Sequence, residues 1–231
     1  MDNTARFPDV MLLAAGLGTR LRPITETLPK PLVSVGGVPL IERIMDNARA
    51  EGAKRFVANA HYRADQLLAH FGGLLKVSRE ETLLGTGGGV KQALPMLYSD
   101  PIFVMNTDAF WPLGGDQPLG RMLARYQGAE DIVLLCVQPA RATGFSRSHD
   151  FCLDPMGRVT QDYGAPVIYA GVALLSPQLF VGTPDGPFSL TDLFETALER
   201  ETLKGVVLDA PWFHVGDPDA LAETERQLGE K

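Results

Sequence analysis

A three-layer α/β/α fold, doubly wound about a predominantly parallel but mixed sheet, is predicted by three observations on the sequence. Short apolar runs rich in Val, Ile, Leu and Phe alternate with amphipathic stretches of helical period. The elements succeed one another as strand, helix, strand, helix, the order that builds a parallel sheet covered on both faces. The chain has 231 residues, 45% of them hydrophobic and 8% aromatic. At that length folding hides roughly 70% of the unfolded surface, enough for a core without disulfides or structural metals.

Strands are expected at 10–14, 56–59, 74–78, 102–106 and 132–138. After Pro39 the apolar positions Leu40, Ile41, Ile44, Met45 and Ala48 fall on one helical face, and a proline in the first turn costs no hydrogen bond. Further helices are expected at 65–71, 88–97, 119–126, 190–200 and 218–228. Beyond Gly144 the rhythm changes. Short strands at 151–153 and 167–175, separated by Gly and Pro turns, suggest a small β-rich lobe over the sheet edge rather than a second domain, so residues 1–231 read as one unit.

Composition excludes several function classes. The longest apolar runs, 10–15 and 132–137, fall far short of the roughly 20 residues of a membrane helix. With 28 acidic residues against 21 Lys and Arg the net charge is −7, and no basic run interleaves with aromatics. Neither nucleic acid nor a membrane is an expected partner. Cys136 and Cys152 have neither metal-ligand nor redox spacing. The first nine residues make a poor secretion signal. A cytoplasmic setting is expected.

The first strand opens into LAAGLGTRLRPITETLPKP, residues 13–31. Gly16 and Gly18 let backbone amides approach an anion closely, and Arg20, Arg22 and Lys30 add full charge, so the stretch reads as a polyphosphate cradle. It is not a Walker loop, because no Gly-Lys-Ser or Gly-Lys-Thr occurs. It is not a dinucleotide fingerprint either, because Leu21 stands where the third glycine belongs. A lone Gly-x-Gly would signify only a tight turn with surface arginines nearby. Here Thr19-Arg20, Pro23, Thr25 and Pro29-Lys30-Pro31 accompany it, and the whole string resembles the opening of the sugar-nucleotide pyrophosphorylases, nucleotidyltransferases that join a nucleoside triphosphate to a sugar 1-phosphate. The resemblance implies the GT-A-like fold of nucleotide-diphospho-sugar transferases. It further implies that Ala14, Ala15 and Gly16 line the nucleotide, that Gly18, Thr19 and Arg20 hold its phosphates, and that Lys30 reaches the α-phosphate and the incoming phosphate.

Three later islands resemble the same family. EETLLGTGGGV, residues 80–90, is similar to its base-reading segment, with Glu80, Gly85 and Thr86 at the nucleobase. A carboxylate only accepts hydrogen bonds, so Glu80 suits a base edge offering N–H, as uracil and guanine both do. VMNTDAFW, residues 104–111, places Asp108 just past a buried strand, suited to Mg²⁺, with Asn106 implied beside the nucleotide sugar. WFHVGD, residues 212–217, is similar to a Trp-x-Asp-x-Gly-Thr motif whose aspartate is the second metal ligand. Here His214 takes that position, an imidazole that suits Mn²⁺ or Zn²⁺ better than Mg²⁺, and Asp217-Pro218 reads as a helix cap.

GFSRSHDFCLDPMGR, residues 144–158, resembles the acceptor segment of the branch that uridylylates N-acetylmuramic acid 1-phosphate, and implies Asp150 and Gly171 at the sugar. Residues 1–143 would then serve mainly the nucleotide and 144–231 mainly the acceptor. The expected reaction is in-line displacement of pyrophosphate, with UTP and N-acetylmuramate 1-phosphate favoured, in a monomer or homodimer. The alternatives are guanylyl transfer to mannose 1-phosphate, cytidylyl transfer to phosphocholine, and a catalytically silent nucleotide-sugar sensor.

Overall fold

The computed structural model describes residues 7–229. Its strands are β1 (Val10–Leu13), β2 (Ser34–Val35), β3 (Val38–Pro39), β4 (Phe56–Ala60), β5 (Lys76–Arg79), β6 (Ile102–Asn106), β7 (Ala109–Phe110), β8 (Ile132–Val137), β9 (Ala142–Thr143), β10 (Phe151–Leu153), β11 (Val159–Thr160), β12 (Ala165–Leu175), β13 (Leu203–Val207) and β14 (Trp212–His214). Its helices are α1 (Leu40–Ala50), α2 (Ala64–Phe71), α3 (Gly85–Ala93), α4 (Pro118–Arg125), α5 (Leu190–Glu199) and α6 (Pro218–Gly229).

The main sheet runs β5-β4-β1-β6-β12-β8-β13, and β10 then β11 continue beside the first half of β12. Pairing is parallel except where β12 meets β6, β8 and β10, and where β10 meets β11. Alternation along each strand divides the core into two layers. Val10, Leu12, Phe103 and Met105 face α1, α2 and α4, whereas Met11, Ile102 and Val104 face α3 and α5. A third cluster, including Leu21, Val35, Phe110, Phe213 and Val215, lies under the loop after β1, with Leu221 and Leu228 of α6 packed against it. Asp217 caps α6 as the sequence suggests, its Oδ1 accepting from the Ala220 N–H at 2.9 Å.

From β1 the chain passes to β4 and β5 on one side, then returns through α3 to β6 on the other. The carboxyl ends of β1 and β6 therefore flank the crevice where strand order reverses, the usual ligand position in open α/β sheets.

Three features differ from the expectation. The strand at 167–175 does not belong to a lobe over the edge. β12 lies inside the main sheet between β6 and β8, its residues alternating between the two cores, and sequence order alone does not reveal an antiparallel strand inserted there. The helix expected at 88–97 starts at Gly85 and ends in a 3₁₀ turn at Leu94–Met96. Its glycines are tolerated because packing demands them: a Cβ on Gly87 would lie 2.3 Å from the Phe188 ring, and one on Gly88 2.6 Å from the Gly186 carbonyl oxygen. Finally, β11, β13, the β2-β3 pair and the small sheet β7-β14-β9 are additional to the expected strands, and β5 begins at Lys76 rather than at 74, Leu74 being exposed.

Candidate functional site

The loop leaving β1 is built by short local interactions. Three 3₁₀ turns, Thr19–Leu21, Ile24–Glu26 and Lys30–Leu32, fold it back on itself, and fully buried Leu21 anchors it below. Gly18 adopts φ 64°, ψ 26°, in the left-handed region, and its carbonyl accepts from Thr25 Oγ1 at 2.7 Å. A Cβ there would lie 2.9 Å from Lys30 Cβ, so glycine is needed both for the turn and for the close approach of Lys30. At the loop's start the Ala14 N–H donates to Asn59 Oδ1 at 2.7 Å.

This folding brings the Lys30 ammonium to 2.7 Å from Asp108 Oδ2, across 78 residues of sequence. Asp108 stands two residues beyond β6, and its backbone carbonyl accepts from Val215 N, which fastens the segment after β14 alongside. His214 Nε2 lies 3.5 Å from the same carboxylate oxygen, while Nδ1 is 3.0 Å from the Gly144 carbonyl. The imidazole stacks on Trp212 with ring centroids 5.8 Å apart. Burial alone would push the Asp108 carboxyl up, but the Lys30 charge and the His214 hydrogen bond outweigh it and hold the group well below the usual carboxylate range. At His214 burial favours the neutral ring, yet the hydrogen bond and charge of Asp108 prevail and raise its pKa.

Between these groups lies a cavity of about 360 Å³, within the range of roughly 300–1,000 Å³ common for small-molecule sites. Of the sequence-predicted residues, Ala14, Ala15, Gly16, Gly18, Thr19, Arg20, Lys30, Glu80, Gly85, Thr86, Asn106 and Asp108 all line it. Thr19 and Arg20 are exposed at its mouth. Glu80 is 2% exposed, its Oε1 accepting from Asn59 Nδ2 at 2.7 Å and its Oε2 from Leu84 N at 3.0 Å. Thr86 Oγ1 accepts from the N–H of Leu190, the first residue of α5.

Four predicted residues lie outside the lining. Arg22, expected to add charge to the cradle, is exposed and does not border the cavity. His214 stands behind Asp108. Gly171, at φ 82° in the bulged part of β12, abuts Asn106, where a Cβ would come within 3.1 Å of the Asn106 Cβ. Asp150 has both carboxylate oxygens engaged, one with Arg147 at 2.7 Å and one with the Tyr169 N–H at 3.0 Å. Conversely, Asn59 and Gly216 line the cavity although the sequence reading did not single them out. A polar residue inside the otherwise apolar strand FVANA was the available signal for Asn59.

The donor set fits a hard divalent ion. Among the described residues both protein contacts of the Asp108 carboxylate fall on Oδ2, which leaves Oδ1 for an ion, and His214 Nε2 stands 3.5 Å from Oδ2 as a second donor. Among the described residues no three His, Cys, Asp or Glu side chains converge to hold a metal.

Comparison with known proteins places this geometry. The family model described as Nucleotidyl transferase matches residues 9–145. The N-acetylmuramate alpha-1-phosphate uridylyltransferase of Caulobacter vibrioides is 37% identical over 95% of this chain and 96% of its own length. The mannose-1-phosphate guanyltransferase of Emericella nidulans is 29% identical over 90% of this chain, which spans 60% of that longer protein. In fold, HddC from Yersinia pseudotuberculosis, solved as a complex with GMP-PN, matches with TM-score 0.74 and 23% identity over 96% of this chain and 99% of its own. A family model covering more than half of the chain, and a relative aligned along nearly all of it, establish that the chain belongs to the nucleotidyl transferase family.

Proposed function

We propose that the protein joins UTP to N-acetylmuramate 1-phosphate, giving the nucleotide sugar and pyrophosphate. The observation that carries the reading is the convergence of the loop 14–20, Arg20, Lys30 and Asp108 on one cavity at the reversal of strand order. The choice of substrates is supported by the 37% identity to a relative named for that reaction.

Two anions must meet, a sugar phosphate and the α-phosphate of the nucleotide. A phosphate monoester with a second pKa near 6 is mostly dianionic at neutral pH, so its oxygen attacks without a general base. The work of the protein is to hold the pair in line and to screen their repulsion. Loop amides from Gly16 to Arg20, with the Arg20 guanidinium, bind the β- and γ-phosphates that leave. Lys30 contacts the α-phosphate, where negative charge grows in the transition state. Gly85 and Thr86 close on the base, with Glu80 in the wall behind them, and Asn106 borders the ribose. The acceptor sugar lies toward the bulge of β12 at Gly171, and Asp150 holds that bulge by accepting from Tyr169 N–H.

Asp108, with His214 beside it, would hold the Mg²⁺ ion, Mn²⁺ being the alternative. When bound, the ion supplies charge neutralisation at the reacting phosphates. The part of the chain up to residue 143 thus serves mainly the nucleotide and the remainder mainly the acceptor.

The test is a matrix of pyrophosphate-release assays: four nucleoside triphosphates against N-acetylmuramate, mannose and glucose 1-phosphates, with Mg²⁺ or Mn²⁺. UTP with N-acetylmuramate 1-phosphate is expected to give the highest kcat/KM. A preference for GTP with mannose 1-phosphate would transfer the assignment to the guanylyl reaction. Nucleotide-dependent thermal stabilisation without turnover in any well would leave a sensor.

A further inference from the structure

Two buried side chains, linked by three hydrogen bonds, join the two segments assigned to the nucleotide. The Ala14 N–H donates to Asn59 Oδ1 at 2.7 Å, Asn59 Nδ2 donates to Glu80 Oε1 at 2.7 Å, and Leu84 N–H donates to Glu80 Oε2 at 3.0 Å. Asn59 and Glu80 are 3% and 2% exposed, so losing a partner carries a desolvation cost. Ala14 begins the phosphate loop and Leu84 immediately precedes Gly85 and Thr86 at the start of α3. Gly89 leaves room for the pair, since a Cβ there would lie 2.4 Å from Asn59 Nδ2 and 2.6 Å from Glu80 Oε1.

The chain of bonds has a fixed polarity. Both ends are backbone N–H donors, so the two side chains between them must offer acceptors at both ends and match one donor with one acceptor in the middle. An amide followed by a carboxylate satisfies this. Two amides cannot, because every flip of either one leaves two donors facing each other.

We propose that Asn59 and Glu80 are positioning residues, a polarity-locked relay that sets the Ala14 amide and the Leu84–Thr86 turn in register for the nucleotide, rather than groups that read the base. The proposal rests on the nucleotide-binding reading of this cavity. It makes one demand that no base-reading role makes: the order of amide and carboxylate can be exchanged. Glu80→Gln creates the two-amide relay and misplaces both segments. Asn59→Asp combined with Glu80→Gln restores a satisfied chain, with Asp accepting from Ala14 N–H and from the glutamine amide, and the glutamine carbonyl accepting from Leu84 N–H.

The experiment compares E80Q, N59D and the N59D/E80Q double variant. One mismatched buried contact, two donors facing each other in E80Q and two carboxylate oxygens facing each other in N59D, is expected to raise the nucleotide KM on the order of tenfold or more in either single variant, with the acceptor KM little changed. The double variant is expected to return within about threefold of the parent, judged on the same constants. An E80Q enzyme with unchanged nucleotide KM, or a double variant no better than E80Q, overturns the relay. A base preference altered alike in E80Q and the double variant overturns it in favour of direct base reading. Should a single variant fail to fold, Gly89→Ala, which wedges the pair apart, must raise the nucleotide KM, and an unchanged value refutes the proposal. Exchange of the Ala14 amide hydrogen, measured without nucleotide, must be slow in the parent and the double variant and faster in E80Q. That readout judges the relay even if the parent shows no turnover, whereas the parent's own turnover judges the function.

Discussion

Gly18→Ala isolates the geometry of the loop from its charge. The substitution leaves every cation in place, but it forces an L side chain into φ 64°, ψ 26°, at a cost of about 1–2 kcal/mol. The new Cβ would sit 2.9 Å from Lys30 Cβ and 3.0 Å from Thr25 Cγ2, and relieving such overlap typically costs a further 1–3 kcal/mol or so. Loss of glycine's freedom in the unfolded chain returns about 0.4–1 kcal/mol. A net destabilisation of about 1–5 kcal/mol lowers Tm by roughly 2–4 °C for each kcal/mol in a chain of this size. Because the neighbour that must move carries the Lys30 ammonium, a shift of about 1 Å there should lower kcat/KM by roughly 100-fold. The assay pairs a thermal melt without ligand with pyrophosphate release at saturating acceptor. Gly16→Ala is the stability control, since nothing lies within 4 Å of its added Cβ. A G18A protein melting within about 1 °C of the parent, or turning over at the parent rate, would refute the close approach on which the site is built.

Other outcomes follow from the same structure. Asp108→Ala removes the carboxylate paired with Lys30 and should reduce pyrophosphate release at least ~10²–10³-fold; full activity would end its assignment at the reacting phosphates. Asp217→Ala deletes the cap of α6 and should cost about 1 kcal/mol, read as a Tm lower by roughly 2–4 °C. Burial, aided by the charge of Asp150, pushes the Cys136 thiol up to about 12. It therefore stays protonated at pH 8, and thiol reagents should leave it unmodified in the native protein and label it on unfolding.

The predicted strands and helices were legible wherever one element carries its own period. All six residues of IVLLCV are buried between two layers, and that run is β8 as its unbroken apolar character implies. The α1 stripe at Leu40, Ile41, Ile44, Met45 and Ala48 is the buried face of that helix. What escaped was information held in pairing rather than in sequence. β12 takes its place from partners on both sides, and β7, β9 and β14 are two- or three-residue strands that exist only because they meet. The site shows the same division. Gly16, Gly18, Arg20 and Lys30 announce phosphate chemistry in one stretch of chain, and the cavity gathers them with Asp108. Asn59 gave no such notice, because a single asparagine in a strand acquires a purpose only when folding sets it between an amide 45 residues before it and a carboxylate 21 residues after it. Spacing along the chain therefore reveals groups that act together within a loop. Groups that hold one loop against another are visible only once the unpaired polar atoms of the interior are traced to their partners.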